Sequence, residues 1–180
     1  MFYMMRLSIC ITETWLNDSF PDGLIDPKGH YNILRYDRSV SNGGGVCILT
    51  HKSFAAVPIE FDNSANLEIS ALDAIIGETK YRFINVYRKP ICDVTNAKEL
   101  INCLTLLMNV SWPVFMTGDF NCRDIDWDVL TAPRDGVQNA ILDFACDVGL
   151  VQMVSQATRC NNIIDLVLTT HPIFVRSEER

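Results

Sequence analysis

No stretch of this 180-residue sequence approaches the roughly 20 consecutive apolar residues needed to cross a bilayer, so no membrane-spanning helix and no membrane partner are expected. The opening residues 1–11 are apolar, but Arg6 interrupts them and no small-x-small cleavage site follows. A buried strand fits them better than an export signal. The seven cysteines include no CxxC pair and no Cys/His spacing suited to zinc. They read as buried thiols of a protein kept in a reducing compartment, hence intracellular, in nucleus or cytoplasm, and not secreted. Repeats, low-complexity tracts and blocks of like charge are also missing, which excludes solenoids and disordered tails.

Positive charge is in short supply. Lys and Arg number 15 against 22 Asp and Glu, for a formal charge of −7. That balance excludes a protein that holds nucleic acid mainly through a basic coat. It does not exclude an enzyme acting on DNA, because a metal site needs acidic residues of its own. Arg35, Arg38, Arg88, Lys89, Arg123, Arg134 and Arg159 fall mostly in expected loops, where they read either as a localised DNA-facing rim or as ordinary solvated charge.

What is present is enough apolar sequence, 48% of the residues, for one substantial core and therefore one domain over residues 1–180. Apolar residues 7–11 predict a central strand that delivers Glu13 to its end. Residues 17–29 carry loop signals. Strands are expected at 31–36 and 45–50, joined through Ser41-Asn42-Gly43-Gly44, and this glycine run lacks the Lys-Ser/Thr of a phosphate-binding loop. Further strands are expected at 55–59, 67–76 and 81–87, the last two joined by a hairpin over Gly77-Glu78-Thr79-Lys80. Apolar residues at helical spacing predict a helix over 95–108, after an Asp93/Thr95 start signal, and another over 138–147 ending near Gly149. Residues 114–116 form a short buried strand leading into Gly118-Asp119-Phe120-Asn121. A polar loop over 123–134 follows, anchored by Trp127, and residues 163–168 read as a strand that carries Asp165 where burial alone would favour an apolar residue. Strand hairpins followed by strands alternating with helices predict an α/β sandwich of two packed sheets flanked by helices.

Hydrolysis of a phosphodiester needs a cation to offset charge on the phosphoryl oxygens and groups to orient the attacking water. Glu13 and Asp119, both at the ends of apolar strands, supply hard oxygen atoms suited to Mg²⁺. Asn121 lies two residues beyond Asp119, so in extended backbone both side chains would share a face. Taken singly, Gly118-Asp119-Phe120-Asn121 also reads as a plain turn, Glu13 as a solvated strand-end charge and Tyr87 as a half-buried strand tyrosine.

Ile11-Thr12-Glu13-Thr14-Trp15-Leu16, Gly43-Gly44-Gly45-Val46, Asn85-Val86-Tyr87-Arg88-Lys89-Pro90, Gly118-Asp119-Phe120-Asn121 and Ile164-Asp165-Leu166-Val167-Leu168-Thr169 occur in order across nearly the whole chain. In this the chain resembles the endonuclease/exonuclease/phosphatase (DNase I-like) superfamily, and most of all the endonuclease domains of non-LTR retrotransposons. The resemblance implies a four-layered α/β sandwich with two mixed, mostly antiparallel sheets. It implies a Mg²⁺ cofactor, with Mn²⁺ as an alternative, a DNA duplex as target, and a reverse transcriptase domain as partner in the intact element. By resemblance Glu13 is the metal-binding glutamate, and Tyr87 hydrogen-bonds near the scissile phosphate. Asp119 orients or activates the attacking water, Asn121 contacts phosphate, and Asp165 supports the metal region.

Two parts of the family pattern are expected to be missing, so the fold is expected to be truncated at both ends. One is an amino-terminal strand and helix; the other is a carboxy-terminal Ser-Asp-His motif. His30, His51 and His171 lie in loops or just beyond strands, and none is expected to take the place of the motif's histidine. Alternative functions are a catalytically inactive remnant or binding-only fragment, and a phosphoinositide or other phosphate-ester phosphatase of the same superfamily.

Overall fold

The computed structural model describes residues 3–5, 8–38, 43–63, 65–90, 94–134 and 136–172. Leu7, Ser41, Asn42 and Asp93, to which strand, turn and helix-start signals were assigned, lie outside the described residues. In order along the chain come β1 (Tyr3–Met5), β2 (Ser8–Thr12), α1 (Asp22–Ile25), β3 (Tyr31–Tyr36), β4 (Val46–His51) and β5 (Ala55–Pro58). These are followed by β6 (Glu68–Ile76), β7 (Thr79–Tyr87), α2 (Val94–Met108), β8 (Val114–Asp119), α3 (Val137–Asp147), β9 (Val151–Gln152) and β10 (Asp165–Thr169).

Two sheets result. The first, in the order β1-β2-β4-β3, is antiparallel throughout. The second, β5-β6-β7-β8-β10-β9, is mixed, because β8 runs parallel to β7 after the α2 crossover while its other pairs are antiparallel. A parallel pair needs such a long connection, which is why the 15-residue helix sits there. The mixed α/β sandwich of two sheets is therefore the architecture expected from the sequence. Among the described residues its layers are the two sheets and the α2/α3 layer; the remaining helix, α1, has four residues.

Strand alternation divides the second sheet into two faces. One face packs Ile69, Ala71, Ile84, Val86, Met116, Leu166 and Leu168 against Leu100, Leu104 and Leu107 of α2 and Ile141, Leu142 and Ala145 of α3, forming the main core. The opposite face meets the first sheet through a smaller cluster of Ile48, Leu72, Ala74, Phe83 and Phe115. Fully burying a residue of this kind contributes about 1.5–3 kcal/mol each, so the helical side carries most of the fold's stability.

Local differences from expectation have simple causes. The β6–β7 turn is two residues, Gly77-Glu78, because Ile76 pairs with Thr79, and Thr79 and Lys80 belong to the strand. Gly77 has φ +63°, as the first position of such a turn requires. The helix at 22–25 and the short β9 were not anticipated; two to four residues are too few to show a period. The expectation of buried cysteines holds for Cys47, Cys103 and Cys122, whereas Cys146 and Cys160 are exposed. Among the described residues no helix is long and apolar enough to cross a membrane.

Candidate active site

The inter-sheet face of the second sheet grades from apolar to acidic along its strands. Leu72, Phe83 and Phe115 are in register in one row, and Ser70, Asn85 and Thr117 in the next but one position. At the end of the sheet, Glu68 pairs with Tyr87, Tyr87 with Asp119, and Asp119 with Asp165. Directly paired residues point to the same face, so four strands present one row of three carboxylates and a phenol. Beneath it, the fully buried Asn85 donates from Nδ2 to the carbonyls of Ile11 (2.8 Å) and Cys47 (3.1 Å), tying the row to β2 and β4 of the other sheet.

Glu13 joins from β2. Its backbone is left-handed, φ +51°, as is that of Trp15, φ +57°, conformations that cost a non-glycine residue free energy and need external support. Support comes from the glycine run. Trp15 N–H donates to the Gly44 carbonyl at 2.9 Å and Thr14 N–H to that of Gly45, and the Trp15 ring lies over Gly43. A Cβ on Gly45 would stand 2.5 Å from Thr14 Oγ1, and one on Gly44 would meet Arg38 and Glu68 even more closely. The turn thus turns the Glu13 carboxylate back to the row, where Tyr87 Oη donates to Glu13 Oε1 at 2.7 Å.

The loop after β8 is held differently. Gly118 has φ +139°, and a Cβ there would fall 1.8 Å from the Val86 carbonyl, so only glycine permits the strand to turn out beside β7. Asp119 Oδ1 accepts from Asn121 N–H at 2.9 Å, and Asn121 is left-handed with φ +50°. The expected extended backbone from Asp119 to Asn121 is thus replaced by a tight turn closed by the Asp119 side chain. Arg88, 5% exposed, clamps this turn: Nε donates to the Phe120 carbonyl at 2.5 Å and Nη2 to that of Asn121 at 2.8 Å. Asn121 Nδ2 returns a bond to the Arg88 carbonyl at 2.7 Å.

Electrostatics in the row are those of negative charge held close together. Asp119 is 7% exposed; burial, and then the Asp165 and Glu13 charges, push its carboxyl up to about 6, against the lowering effects of the Asn121 N–H and of Arg159. Burial and the adjacent Glu13 and Asp119 also raise the Tyr87 phenol, keeping it a proton donor at neutral pH. Arg38 offsets charge at the other end, pairing with Glu68 and lying 5.7 Å from the Tyr87 ring centroid. The arrangement can position a hydroxyl or water next to a carboxylate of near-neutral pKa, and it attracts a cation.

A protein-family model described as "Endonuclease-reverse transcriptase" matches residues 81–180, more than half of the chain, and includes Tyr87, Asp119, Asn121 and Asp165. The chain belongs to the endonuclease-reverse transcriptase family. Endonuclease-reverse transcriptase proteins fall in the endonuclease/exonuclease/phosphatase superfamily of phosphodiesterases and nucleases, and solved structures of that superfamily share the fold. The endonuclease domain of TRAS1, a telomere-specific non-LTR retrotransposon, superposes with TM-score 0.66 at 12% identity, covering 93% of this chain and 74% of that one. The AP endonuclease LMAP from Leishmania major does so with TM-score 0.62 at 11% identity, covering 92% and 70%. The human Nocturnin catalytic domain gives TM-score 0.62 at 13% identity, covering 91% and 68%. No curated protein matches by sequence.

All five site residues expected from the sequence are described, and they gather at one end of the sandwich. The histidines do not join them. His51 ends β4 opposite Val46 and packs on Tyr31 and His30, while His171 follows β10 at the end opposite Asp165. Glu68 was not anticipated at this candidate site, and Arg38 was named from the sequence only among cations reading as a DNA-facing rim or as solvated charge. For Glu68 a signal was there, a carboxylate at the start of a mostly apolar strand, but Asp73 later in the same strand gives the same signal and pairs with Lys80 and Arg82 away from the row.

Proposed function

We propose that the chain is the Mg²⁺-dependent, phosphodiester-hydrolysing DNA endonuclease module of a non-LTR retrotransposon. In the intact element it nicks target duplex, and the nick primes copying by an associated reverse transcriptase domain. The observation that carries this reading is the row of Tyr87, Asp119 and Asp165 with Glu13 bonded to the Tyr87 hydroxyl.

The donor set fits the cation. Glu13 and Asp165 offer hard oxygen atoms, and their charges, after burial, add to the raising of the Asp119 carboxyl, a repulsion that a cation would offset. Mg²⁺ takes one or two carboxylates and keeps several waters, which agrees with the lack, among the described residues, of three Asp, Glu, His or Cys side chains grouped as a cage. Mn²⁺ accepts the same ligands. When bound, the ion supplies positive charge opposite the phosphoryl oxygens.

The protein's own groups do the rest. Tyr87 orients the Glu13 carboxylate through its hydroxyl. Asp119, ionised at neutral pH, orients the attacking water and accepts its proton. Asn121 has a second amide proton beyond the one given to Arg88, and that proton donates to a phosphate oxygen. Nicking of supercoiled plasmid with Mg²⁺ tests the reading, alongside Glu13→Ala and Asp119→Ala. Nicking that survives both substitutions removes this site from the chemistry.

A catalytically silent, binding-only module is the second reading, favoured by the position of His30, His51 and His171 away from the row. Absence of nicking by the parent chain under the same conditions supports it.

A further inference from the structure

Beside the carboxylate row a cavity of about 340 Å³ opens between the turn after Asp119 and the segment leading into α3. Arg88, Arg123 and Arg134 line it, and Asn121 is the wall it shares with the row. Arg88 is buried and committed to the Phe120 and Asn121 carbonyls. Arg123 and Arg134 are exposed, and neither has a hydrogen bond or ion pair among the described residues. Among the described residues Arg35 is paired with Asp22 and Asp37, Arg38 with Glu68, and Lys80 and Arg82 with Asp73, whereas Lys28, Lys52, Lys89, Lys98 and Arg159 form no ion pair; what sets Arg123 and Arg134 apart is that they line one cavity. In a chain of formal charge −7, two unpaired guanidinium groups lining one cavity reverse the local charge. Among the described residues the one carboxylate in the wall, Asp124, accepts from Gln138 Nε2 at 2.7 Å. Arg123 also borders the neighbouring cavity of about 620 Å³, but there Asp124, Asp126 and Asp128 outnumber it and would repel a polyanion, whereas Arg134 lines the smaller cavity and not the larger.

We infer that the arginine-lined cavity is a second phosphate subsite, in which Arg123 and Arg134 hold a backbone phosphate of the nucleic-acid strand flanking the one at the carboxylate row. The inference rests on the proposed endonuclease reading of that row. A guanidinium fork matches phosphate oxygens in pairs, and phosphate contacts of this kind set a strand's register without reading its sequence. Because Asn121 belongs to both sites, a phosphate seated in the cavity places its neighbour on the row. The subsite therefore favours a phosphodiester chain over an isolated phosphate ester.

The test compares the parent with Arg123→Gln/Arg134→Gln, and with Lys28→Gln/Lys52→Gln as a control that removes the same charge from exposed positions elsewhere. Binding to a short DNA duplex is measured without Mg²⁺ over a range of salt. Hydrolysis of the duplex and of bis(p-nitrophenyl) phosphate, a diester with no flanking phosphate, is measured with Mg²⁺. Each phosphate contact contributes a slope of about 0.9 in log affinity against log salt. The arginine variant, which loses the one phosphate both residues hold, is expected to lose about 0.9 from that slope and to raise KM for duplex with little change in kcat, leaving small-diester hydrolysis at the parent's rate. The lysine control keeps the parent's slope. A parental slope in the arginine variant, an equal loss in the lysine control, or no duplex binding by the parent overturns the subsite. Binding needs no turnover, so a parent that binds with the expected slope but hydrolyses neither substrate refutes the endonuclease reading and not the subsite.

Discussion

Arg88 and Asn121 each hold the other's main chain. The Arg88 guanidinium donates to the carbonyl of Asn121, and the Asn121 amide donates to the carbonyl of Arg88, at 2.8 and 2.7 Å. Asp119 lies inside this reciprocal clamp, its carbonyl accepting from Arg88 N–H at 2.9 Å. Replacing Arg88 by Ala leaves the half-buried Asn121 carbonyl without this donor and the buried Phe120 carbonyl with only the weak Cys122 thiol at 3.3 Å, which costs about 1–3 kcal/mol. Urea unfolding should show the midpoint falling by a corresponding amount, and Arg88→Lys, with a point charge in place of a fork, should recover only part of it. An unchanged midpoint for Arg88→Ala would show that the clamp is incidental.

The Asp119 carboxyl, raised to about 6 in the fold against about 3.9 in the unfolded chain, makes stability depend on pH. Between those values the folded protein binds a proton that the unfolded chain has lost. Stability therefore falls as pH rises through about 4 to 6, and the whole penalty persists above. Asp119→Asn keeps the acceptor for Asn121 N–H and removes the charge. In chelator-treated protein at pH 7 the variant should be more stable by about 2–3 kcal/mol, an advantage that vanishes near pH 4. Thermal melts across pH check this; equal stability at pH 7 contradicts a desolvated carboxylate.

Adding Mg²⁺ brings positive charge among Glu13, Asp119 and Asp165. It should raise the parent's melting temperature and move the Asp119 titration to lower pH. Removing Mg²⁺ with a chelator should abolish nicking, and restoring it should recover the activity. Melting curves that ignore millimolar Mg²⁺ in the parent, or that shift equally in Glu13→Ala, would place any bound ion elsewhere.

Tyr87→Phe removes the hydroxyl that orients Glu13 and little else, since the ring stays in its slot. Loss of a partner that orients a metal-holding group typically weakens metal affinity or activity by about 10–100-fold. The Mg²⁺ concentration for half-maximal nicking should rise within that range while stability changes little. A variant with the parent's Mg²⁺ dependence would assign Tyr87 to packing alone.

Gly118 and Gly149 both have positive φ but different surroundings. A methyl group on Gly118 meets the Val86 carbonyl at 1.8 Å, whereas around Gly149 nothing lies within 4 Å. Gly149→Ala should cost about 1–2 kcal/mol, the ordinary cost of left-handed backbone with a side chain. Gly118→Ala should cost more than 3 kcal/mol or prevent folding, because β7 and β8 must separate. Comparable unfolding midpoints would count against the close approach of those strands.

Most of the strands and both long helices were legible in the sequence, because alternation and helical spacing are local properties that survive packing. Residues 31–36 match β3 at both ends, and the helix expected over 95–108 is α2 to within a residue. Ends that depend on pairing were less legible. β8 was expected to stop at Met116 and continues to Asp119, because β7 and β10 supply hydrogen-bonding partners on both sides. The contact between Glu68 and Arg38 was hidden for the same reason: 30 residues separate them, and only tertiary structure brings them together.

By itself the sequence determined the kind of chemistry on offer: carboxylates placed at the ends of apolar strands, with glycines where chain direction must change. It determined this because residue type and short-range pattern need no partner to be read. Tertiary structure alone decided that Tyr87, Asp119 and Asp165 share one row, that Glu13 turns back to meet it, and that Asn121 leaves the extended path for a clamped turn. Those facts depend on strand register and on left-handed backbone held by distant contacts, and neither is encoded in any single segment.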